Sequence, residues 1–108
     1  MDSVIQVMTT VDSEDTAAQI AKTVVERRLA ACVQVLGPIS STYWWEGAVE
    51  TSTEWLCLIK TRQELYLQVE SAIREVHPYD VPEILAVPVV AGNPAYVEWL
   101  QQEAQPGG

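Results

Sequence analysis

The order of strand-like and helix-like segments limits the fold of this chain more than any other feature. Val4 to Val11 has the composition of a short strand, and apolar residues then recur at helical spacing from Ala17 to Leu29. A second helical pattern runs from Leu65 to Val76 and must end there, because His77 precedes a proline. Three further strand-like segments lie between and after these helices, and a short helical pattern closes the chain. The predicted order is therefore β-α-β-β-α-β-α.

Capping residues mark the ends of these helices. Asp12 and Ser13 are N-cap candidates for the first helix, and Thr61 to Glu64 has the sequence of a capping box for the second. We place Arg27 and Arg28 in the last turn of the first helix, where the helix macrodipole favours positive charge. The first helix should therefore be about four turns long.

A long, bent hairpin is predicted between the two helices. Its first strand begins at Cys32, is interrupted by Gly37-Pro38 and continues through Tyr43-Trp44-Trp45. Proline cannot donate a hydrogen bond to a neighbouring strand, so this strand must bend, bulge or lie at an edge of the sheet. The chain turns at Gly47 and returns through a second strand that ends at Lys60.

The aromatic run Tyr43-Trp44-Trp45 favours an oligomer. Side chains alternate along a strand, so at least one of the three rings points away from the core side. Contact between subunits explains such a ring better than exposure to water does. The alternative is that the rings belong to the core of one small subunit. A ring of subunits would also cover the strand edges at Pro38 and Pro88.

A last strand and a third helix complete the predicted fold. Glu83 to Ala91 is almost wholly apolar and predicts a strand covered on both faces, although Pro88 indicates a bulge or an edge. Asn93 is the expected N-cap and Pro94 the first residue of the final helix. The predicted fold is α+β, a ferredoxin-like βαββαβ arrangement with a long bent hairpin and an additional C-terminal helix.

Length and charge exclude several classes of protein. The 108 residues fit a single domain, in which we expect residues 105–108 to form a frayed tail. Fifteen acidic against six basic residues give a net charge of −9, which opposes binding to nucleic acid. No stretch approaches the ~18 apolar residues of a membrane span, and the N-terminus lacks the basic start of a secretory signal. We therefore expect a cytoplasmic protein without a nucleic-acid or membrane partner.

The two cysteines, Cys32 and Cys57, are not arranged as a Cys-x-x-Cys pair. Two buried free thiols are the simplest interpretation. Cys32 is a candidate ligand for copper(I), which thiolate suits well, but its apolar neighbours favour an inert role in the core.

The segment from His77 to Ile84 gathers the residues best suited to solution chemistry. It holds the only histidine together with Tyr79, Asp80 and Glu83. A neutral imidazole suits Cu, Zn and Ni, and Asp80 or Glu83 would complete or orient such a site. The alternative is a corner histidine that binds the backbone or a neighbouring subunit. A hydrolase with His77 as general base is the weakest hypothesis, because no nucleophile lies in an activating motif.

A second candidate site is a pocket at the corner between the hairpin and this segment. It would suit a small anion or a polar metabolite at a subunit boundary. The alternative is a structural Lys–Glu pair that ties the hairpin to the corner. The expected lining consists of Tyr43, Trp45, Glu54, Lys60, His77, Tyr79 and Glu83.

Five motifs, in order, resemble the CutA divalent-cation-tolerance family from about Val4 to Leu100. They are Ala30-Ala31-Cys32-Val33, Tyr43-Trp44-Trp45-Glu46-Gly47, Glu54 with Lys60-Thr61, His77-Pro78-Tyr79 with Pro82-Glu83-Ile84, and Gly92 with Tyr96 and Trp99. Three positions depart from the family pattern, which usually has Asn at Gln34, Pro-Gly at Gly37-Pro38 and Glu at Asp80.

The resemblance implies a ferredoxin-like, PII-like subunit that forms a homotrimer through its long hairpin. It also implies a link to copper and other divalent cations and a signalling role whose partner is unknown. It implies neither an enzymatic reaction nor a required cofactor. The expected function is therefore a non-enzymatic trimer for divalent-cation tolerance, with ligand sensing at subunit interfaces. The competing hypothesis is a stable trimeric scaffold in which metal binding is incidental.

Overall fold

The helices and strands follow the predicted order. The computed structural model describes residues 3–107, so Met1, Asp2 and Gly108 lie outside the described part of the chain. The elements are β1 (Val4–Val11), α1 (Glu14–Glu26), β2 (Cys32–Trp45), β3 (Ala48–Arg62), α2 (Tyr66–Val76), β4 (Ile84–Pro88) and α3 (Pro94–Glu103), with a 3₁₀ turn at Gln63–Leu65 before α2.

The four strands form one antiparallel sheet in the order β2-β3-β1-β4. This order, with α1 and α2 as the connections, confirms the ferredoxin-like α+β fold. β2 and β4 are the edge strands, and they contain Pro38 and Pro88. Proline is tolerated in these positions because an edge strand has one side on which no N–H is required.

The core lies between the two long helices and one face of the sheet. Because side chains alternate along a strand, Val7 and Val11 of β1 and Cys57 and Ile59 of β3 point to the same face, where all four are buried. The predicted apolar faces of the two long helices are confirmed except at Val25, which is exposed, and in the third helix Tyr96 and Trp99 are exposed as well. The helices contribute Ala17, Ile20, Val24, Val69, Ala72 and Ile73 to this core.

The last strand is shorter than predicted. β4 ends at Pro88 and lies at an edge of the sheet, where β1 is its one partner among the described strands. The expectation of a strand covered on both faces is therefore wrong. Leu85 and Val87 are both exposed, and Val90, beyond the strand, is 92% exposed. The apolar run therefore reflects a largely uncovered surface: in β4 only Ile84 is half-buried, and the other four residues are exposed.

Both arginines expected in the last turn of α1 lie beyond it. Arg27 is the C-cap residue, and Arg28 follows with a positive φ of 58°. This left-handed residue turns the chain back toward the sheet, so that Leu29 and Ala30 enter the core. The guanidinium groups then bind carboxylates of other helices, Arg27 to Glu75 of α2 at 2.9 Å and Arg28 to Glu103 of α3 at 2.8 Å.

The predicted capping box at Thr61 to Glu64 does not form. Thr61 is still part of β3, where it pairs with Ile5 of β1, and its buried hydroxyl donates to the Leu29 carbonyl at 2.6 Å. Glu64 instead forms an ion pair with Arg62. Strand pairing and burial of Thr61 outweigh the local capping preference, and α2 begins only after the 3₁₀ turn.

The hairpin has a two-residue turn and a bulge. Glu46 and Gly47 both have positive φ, 49° and 81°, which is the geometry of a type I′ turn. The register between β2 and β3 shifts between Leu36 and Ile39, so Gly37-Pro38 occupies the predicted irregularity.

The end of the hairpin carries exposed aromatic rings. Tyr43 is 41% exposed, Trp44 75% and Trp45 58%. The alternative in which these rings form the core of one subunit is therefore wrong. Contact between subunits remains a prediction.

Candidate functional site

A cavity of about 830 Å³ lies where the hairpin meets the segment after α2. Three parts of the chain form its wall: the end of β1 with the residue that follows it, the two hairpin strands beyond the bulge, and the corner before β4. The lining residues are Thr10, Asp12, Ser41, Thr42, Tyr43, Trp45, Ser52, Glu54, Tyr79, Asp80, Val81 and Glu83.

Strand register explains which hairpin residues reach the cavity. Glu54 lies opposite Ile39, directly after the bulge, and the next partners on the same side of the hairpin are Ser41 with Ser52. The hydroxyl of Tyr43 is 3.0 Å from that of Ser52. The bulge therefore determines which hairpin side chains face the corner.

A hydrogen bond between Tyr79 and Glu54 joins the two sides of the cavity. The Tyr79 hydroxyl donates to Oε2 of Glu54 at 2.8 Å, and Glu54 is only 7% exposed. Burial raises the pKa of Tyr79, and the adjacent Glu54 carboxylate raises this pKa further. Tyr79 therefore remains a neutral hydrogen-bond donor in the physiological range.

His77 lies behind this wall, with both ring nitrogens engaged. The backbone N–H of Tyr79 donates to Nδ1 at 3.2 Å, so the proton is on Nε2, which donates to the Thr10 carbonyl at 2.9 Å. Burial lowers the pKa of His77, although the Thr10 carbonyl and the carboxylates of Asp12 and Glu54 oppose this effect. This geometry matches the corner histidine that was the alternative to a metal ligand.

The charged side chains that line the cavity, among residues 3–107, are all acidic. This lining contains the carboxylates of Asp12, Glu54, Asp80 and Glu83 but no lysine, arginine or histidine. A small anion, one of the two ligand classes expected from the sequence, would be repelled by this lining.

The structure divides the predicted site residues into two groups. Tyr43, Trp45, Glu54 and Tyr79 line the cavity together with Asp80 and Glu83. Lys60 does not: it pairs across the sheet with Cys32, and its Nζ donates to Gln34 at 2.5 Å. The alternative Lys–Glu pair is absent as well, since none of the ion pairs among residues 3–107 includes Lys60.

The candidate metal ligands do not converge within one chain. Residues 3–107 contain no group of three or more His, Cys, Asp or Glu side chains that would hold a metal ion. Cys32 lies on β2 before the bulge, whereas His77, Asp80 and Glu83 belong to the corner beyond it. The donor set of a single described chain therefore does not fit a closed metal site.

The cysteines are free, but only one is fully buried. Cys57 packs in the core, and burial raises the pKa of its thiol to about 11. Because of this raised pKa, Cys57 is protonated and inert at neutral pH. Cys32 is half-buried, which corrects the expectation of two buried thiols.

Sequence reasoning missed five hydrophilic residues of the lining, including Thr42 of β2. Thr10 and Asp12 come from the end of β1, and Ser41 and Ser52 are paired across the hairpin. The two-residue turn at Glu46-Gly47 was a usable signal, because counting back from it pairs Ser41 with Ser52. No comparable signal joined Asp12 to the corner.

The helices are short relative to the thickness of a bilayer. Within residues 3–107, none of them is both long enough and apolar enough to cross a membrane.

The family model described as "CutA1 divalent ion tolerance protein" matches residues 5–103. The protein CutA of Mus musculus is 44% identical over 100 residues, which cover 93% of this chain and 56% of the mouse protein. The divalent-cation tolerance protein CutA of Thermus thermophilus is 43% identical over 96 residues, which cover 89% of this chain and 93% of that protein. The chain thus spans a little over half of the mouse relative but nearly all of the bacterial one.

Solved structures have the same fold over almost their whole length. The divalent cation tolerance protein (Cut A1) from Thermus thermophilus superposes with a TM-score of 0.89 at 42% identity, covering 95% of this chain and 98% of that one. CutA1 from Oryza sativa superposes with a TM-score of 0.93 at 37% identity, covering 99% of this chain and 97% of that one. The chain belongs to the CutA1 divalent ion tolerance family.

Proposed function

We propose that this protein is a homotrimeric, non-enzymatic divalent-cation tolerance protein that senses a ligand at its subunit boundaries. The observation that carries the proposal is the position of the cavity beside the exposed aromatic rings of the hairpin. Tyr43 and Trp45 line the cavity and are exposed in the single chain. A neighbouring subunit that covers these rings would also close the cavity, so assembly and ligand binding would be coupled.

Association in a closed ring is supported by the two free edges of the sheet. β2 and β4 each have one unpaired side, and such edges favour pairing with another chain. Contact between different surfaces of successive subunits produces a ring when the rotation closes. The exposed Trp44 and Val49 of the hairpin would lose contact with water in such a ring.

A non-enzymatic role is supported by the state of His77. Its Nδ1 accepts from Tyr79 and its Nε2 donates to Thr10, so neither nitrogen is available to take a proton from a substrate. The hydrolase hypothesis would require this corner to rearrange.

We propose that the protein contributes to tolerance of divalent cations, copper among them. We also propose that it acts in the cytoplasm, with a signalling partner still to be identified. Since the donors of one chain do not converge, a metal site would need ligands from more than one subunit. The scaffold hypothesis, with incidental metal binding, is favoured by His77, because both of its ring nitrogens already take part in hydrogen bonds.

Calorimetric titration of Cu(II) and Zn(II) into wild type and His77→Ala separates the metal-sensing function from the scaffold hypothesis. Equally weak binding to both proteins would reject a metal site at His77.

Light scattering after size-exclusion chromatography tests the assembly. We expect three times the chain mass of 12.0 kDa at micromolar concentration. Trp45→Glu should shift the protein toward the monomer, because it places a charge in the proposed contact. Leu67→Glu is the matched control, since Leu67 is 76% exposed on α2, outside the hairpin. A monomeric wild type would contradict the trimer.

A further inference from the structure

We propose that Lys60 of one subunit enters the acidic cavity of the next subunit and forms an ion pair there, with Glu54 as its first partner. The inference rests on the trimer proposed above and deepens it, because it names a residue that the neighbouring subunit contributes to the boundary site. Its basis is a cation that lacks a counter-charge within residues 3–107, on the same face of the sheet as the cavity.

Lys60 is a half-buried cation whose charge is not balanced within its own subunit. Its Nζ donates to Oε1 of Gln34, the oxygen of a neutral amide, and none of the ion pairs among residues 3–107 includes it. Arg74, the other basic residue outside these ion pairs, is exposed on α2, where water screens its charge. Partial burial removes some of the hydration of Lys60, so a counter-charge from outside the subunit would stabilise it.

The cation and the acids lie at opposite ends of one face of the sheet. Side chains alternate along β3, so Glu54 and Lys60 point away from the core that contains Cys57 and Ile59. The face between and beside them is apolar and partly exposed. It is formed by Leu56 and Leu58 of β3, Leu36 of β2, and Leu85 and Val87 of β4. This surface therefore has a positive end and a negative end.

The two ends cannot pair within one subunit. Lys60 follows Glu54 by six residues on one strand, which places their Cα atoms roughly 20 Å apart at about 3.3 Å per residue. A second copy whose positive end lies on the negative end of the first brings the two groups together. In a closed ring, contact between different surfaces of successive subunits repeats this pairing at every boundary.

The cavity offers what an ammonium group on an apolar stem requires. Four carboxylates line it, and residues 3–107 contribute no basic side chain to the lining. The buried carboxylate of Glu54, which accepts from Tyr79, would gain a cation as a further partner. The ring of Trp45 in the wall suits the methylene stem of a lysine. Because the lysine and the acids belong to one sequence, this charge complementarity favours a second copy of the chain as the occupant.

Carbodiimide coupling tests the contact directly, because this reagent joins an amine to a carboxylate only where the two groups touch. Lys60 is one of only two lysines in the sequence, and the other, Lys22, lies beside Glu26 of its own helix. In about 150 mM NaCl, which screens unspecific encounters, we expect wild type to give covalent dimers and trimers on a denaturing gel. Mass spectrometry of the digested products should find Lys60 joined to a carboxylate of the cavity lining.

Three substitutions locate the contact. Lys60→Arg keeps the positive charge but cannot be coupled, so the covalent products should disappear while the trimer persists. Lys60→Met removes the charge from a surface position where methionine is tolerated. The protein concentration at which half of the trimer dissociates, measured by analytical ultracentrifugation, should then rise at least about tenfold. Lys22→Met is the matched control, since its ion pair is exposed and within one helix, and it should change neither result.

Three results would overturn the inference: absence of Lys60 from the covalent products, coupling of Lys60 only to carboxylates outside the cavity, or dissociation of Lys60→Met at the wild-type concentration. Its failure is distinguishable from failure of the proposed function. If light scattering shows a wild-type trimer and one of these results is found, only the Lys60 contact is wrong. If wild type is a monomer, the proposed trimer fails together with the contact.

Discussion

The phenol of Tyr79 donates a hydrogen bond of 2.8 Å to the carboxylate of Glu54, which is buried between the hairpin and the corner after α2. The two residues are 25 positions apart in the sequence. This bond therefore fastens the bent hairpin to the segment that leads into the edge strand β4. It also orients the one buried acid of the cavity.

Tyr79→Phe should lower the free energy of unfolding by about 1–3 kcal/mol, because the buried Glu54 carboxylate loses its hydrogen-bond donor. Urea unfolding followed by circular dichroism measures the change. Tyr43→Phe is a matched comparison, since its hydroxyl meets Ser52 on the exposed hairpin, and it should cost less than about 0.5 kcal/mol. Equal losses in the two variants would show that the Tyr79–Glu54 bond is not especially stabilising.

Two buried threonines should respond in opposite directions to the same substitution. The Thr61 hydroxyl donates to the Leu29 carbonyl, so Thr61→Val should destabilise the protein by about 1–2 kcal/mol. The Thr9 hydroxyl is buried without a hydrogen-bond partner in the described chain, so Thr9→Val should be neutral or stabilise the protein by about 1 kcal/mol. Thermal and urea unfolding of both variants test this contrast. A substantial loss of stability in Thr9→Val would mean that its hydroxyl is satisfied in a way the described chain does not reveal.

The regular elements were predictable from local patterns, whereas the details that depend on tertiary contacts were not. The strand Val4–Val11 and the end of α2 before His77 agree with the sequence prediction, since periodicity and proline geometry are local. The capping box failed because Thr61 is held by pairing with Ile5, a contact across the sheet. The aromatic run was informative because no register of one strand can bury three consecutive rings on one face.

The candidate site was predictable in part of its lining but not in its charge. Positions at strand and helix ends facing one corner placed Tyr43, Glu54 and Tyr79 together, and they do line one cavity. Lys60 was misplaced because the register at the bulge, and not proximity in the sequence, determines the neighbours of a β3 side chain. Without Lys60 the lining formed by the described residues has no cationic side chain, which disfavours a small anion, one of the two ligand classes expected from the sequence.

Acid should weaken the protein through His77. Its pKa is lowered in the folded state, mainly by burial, so the unfolded chain takes up the proton more readily below pH 6.5. The stability that neutral His77 contributes is therefore complete above pH 6.5 and decreases as the pH falls below that value. Unfolding free energies of wild type and His77→Gln at about pH 7.5 and about pH 5.5 test this, since glutamine does not titrate. We expect the advantage of wild type over the variant to shrink at the lower pH. A constant difference would contradict the prediction.

The bulge at Gly37 should tolerate no larger side chain. A Cβ atom at this position would meet the indole ring of Trp55 well inside van der Waals contact, and Trp55 is packed against the core. Gly37→Ala should therefore lower the free energy of unfolding by about 1–3 kcal/mol, because either the ring or the edge strand must move.

Gly47→Asn is the control, because Gly47 differs from Gly37 in what limits its side chain. Gly47 has a positive φ of 81° with open space around it, and asparagine tolerates that conformation. The free energy of unfolding should therefore change by less than about 0.5 kcal/mol. Urea unfolding compares the two variants. Loss of stability in Gly47→Asn alone would contradict the assignment of the steric limit to the Gly37–Trp55 contact.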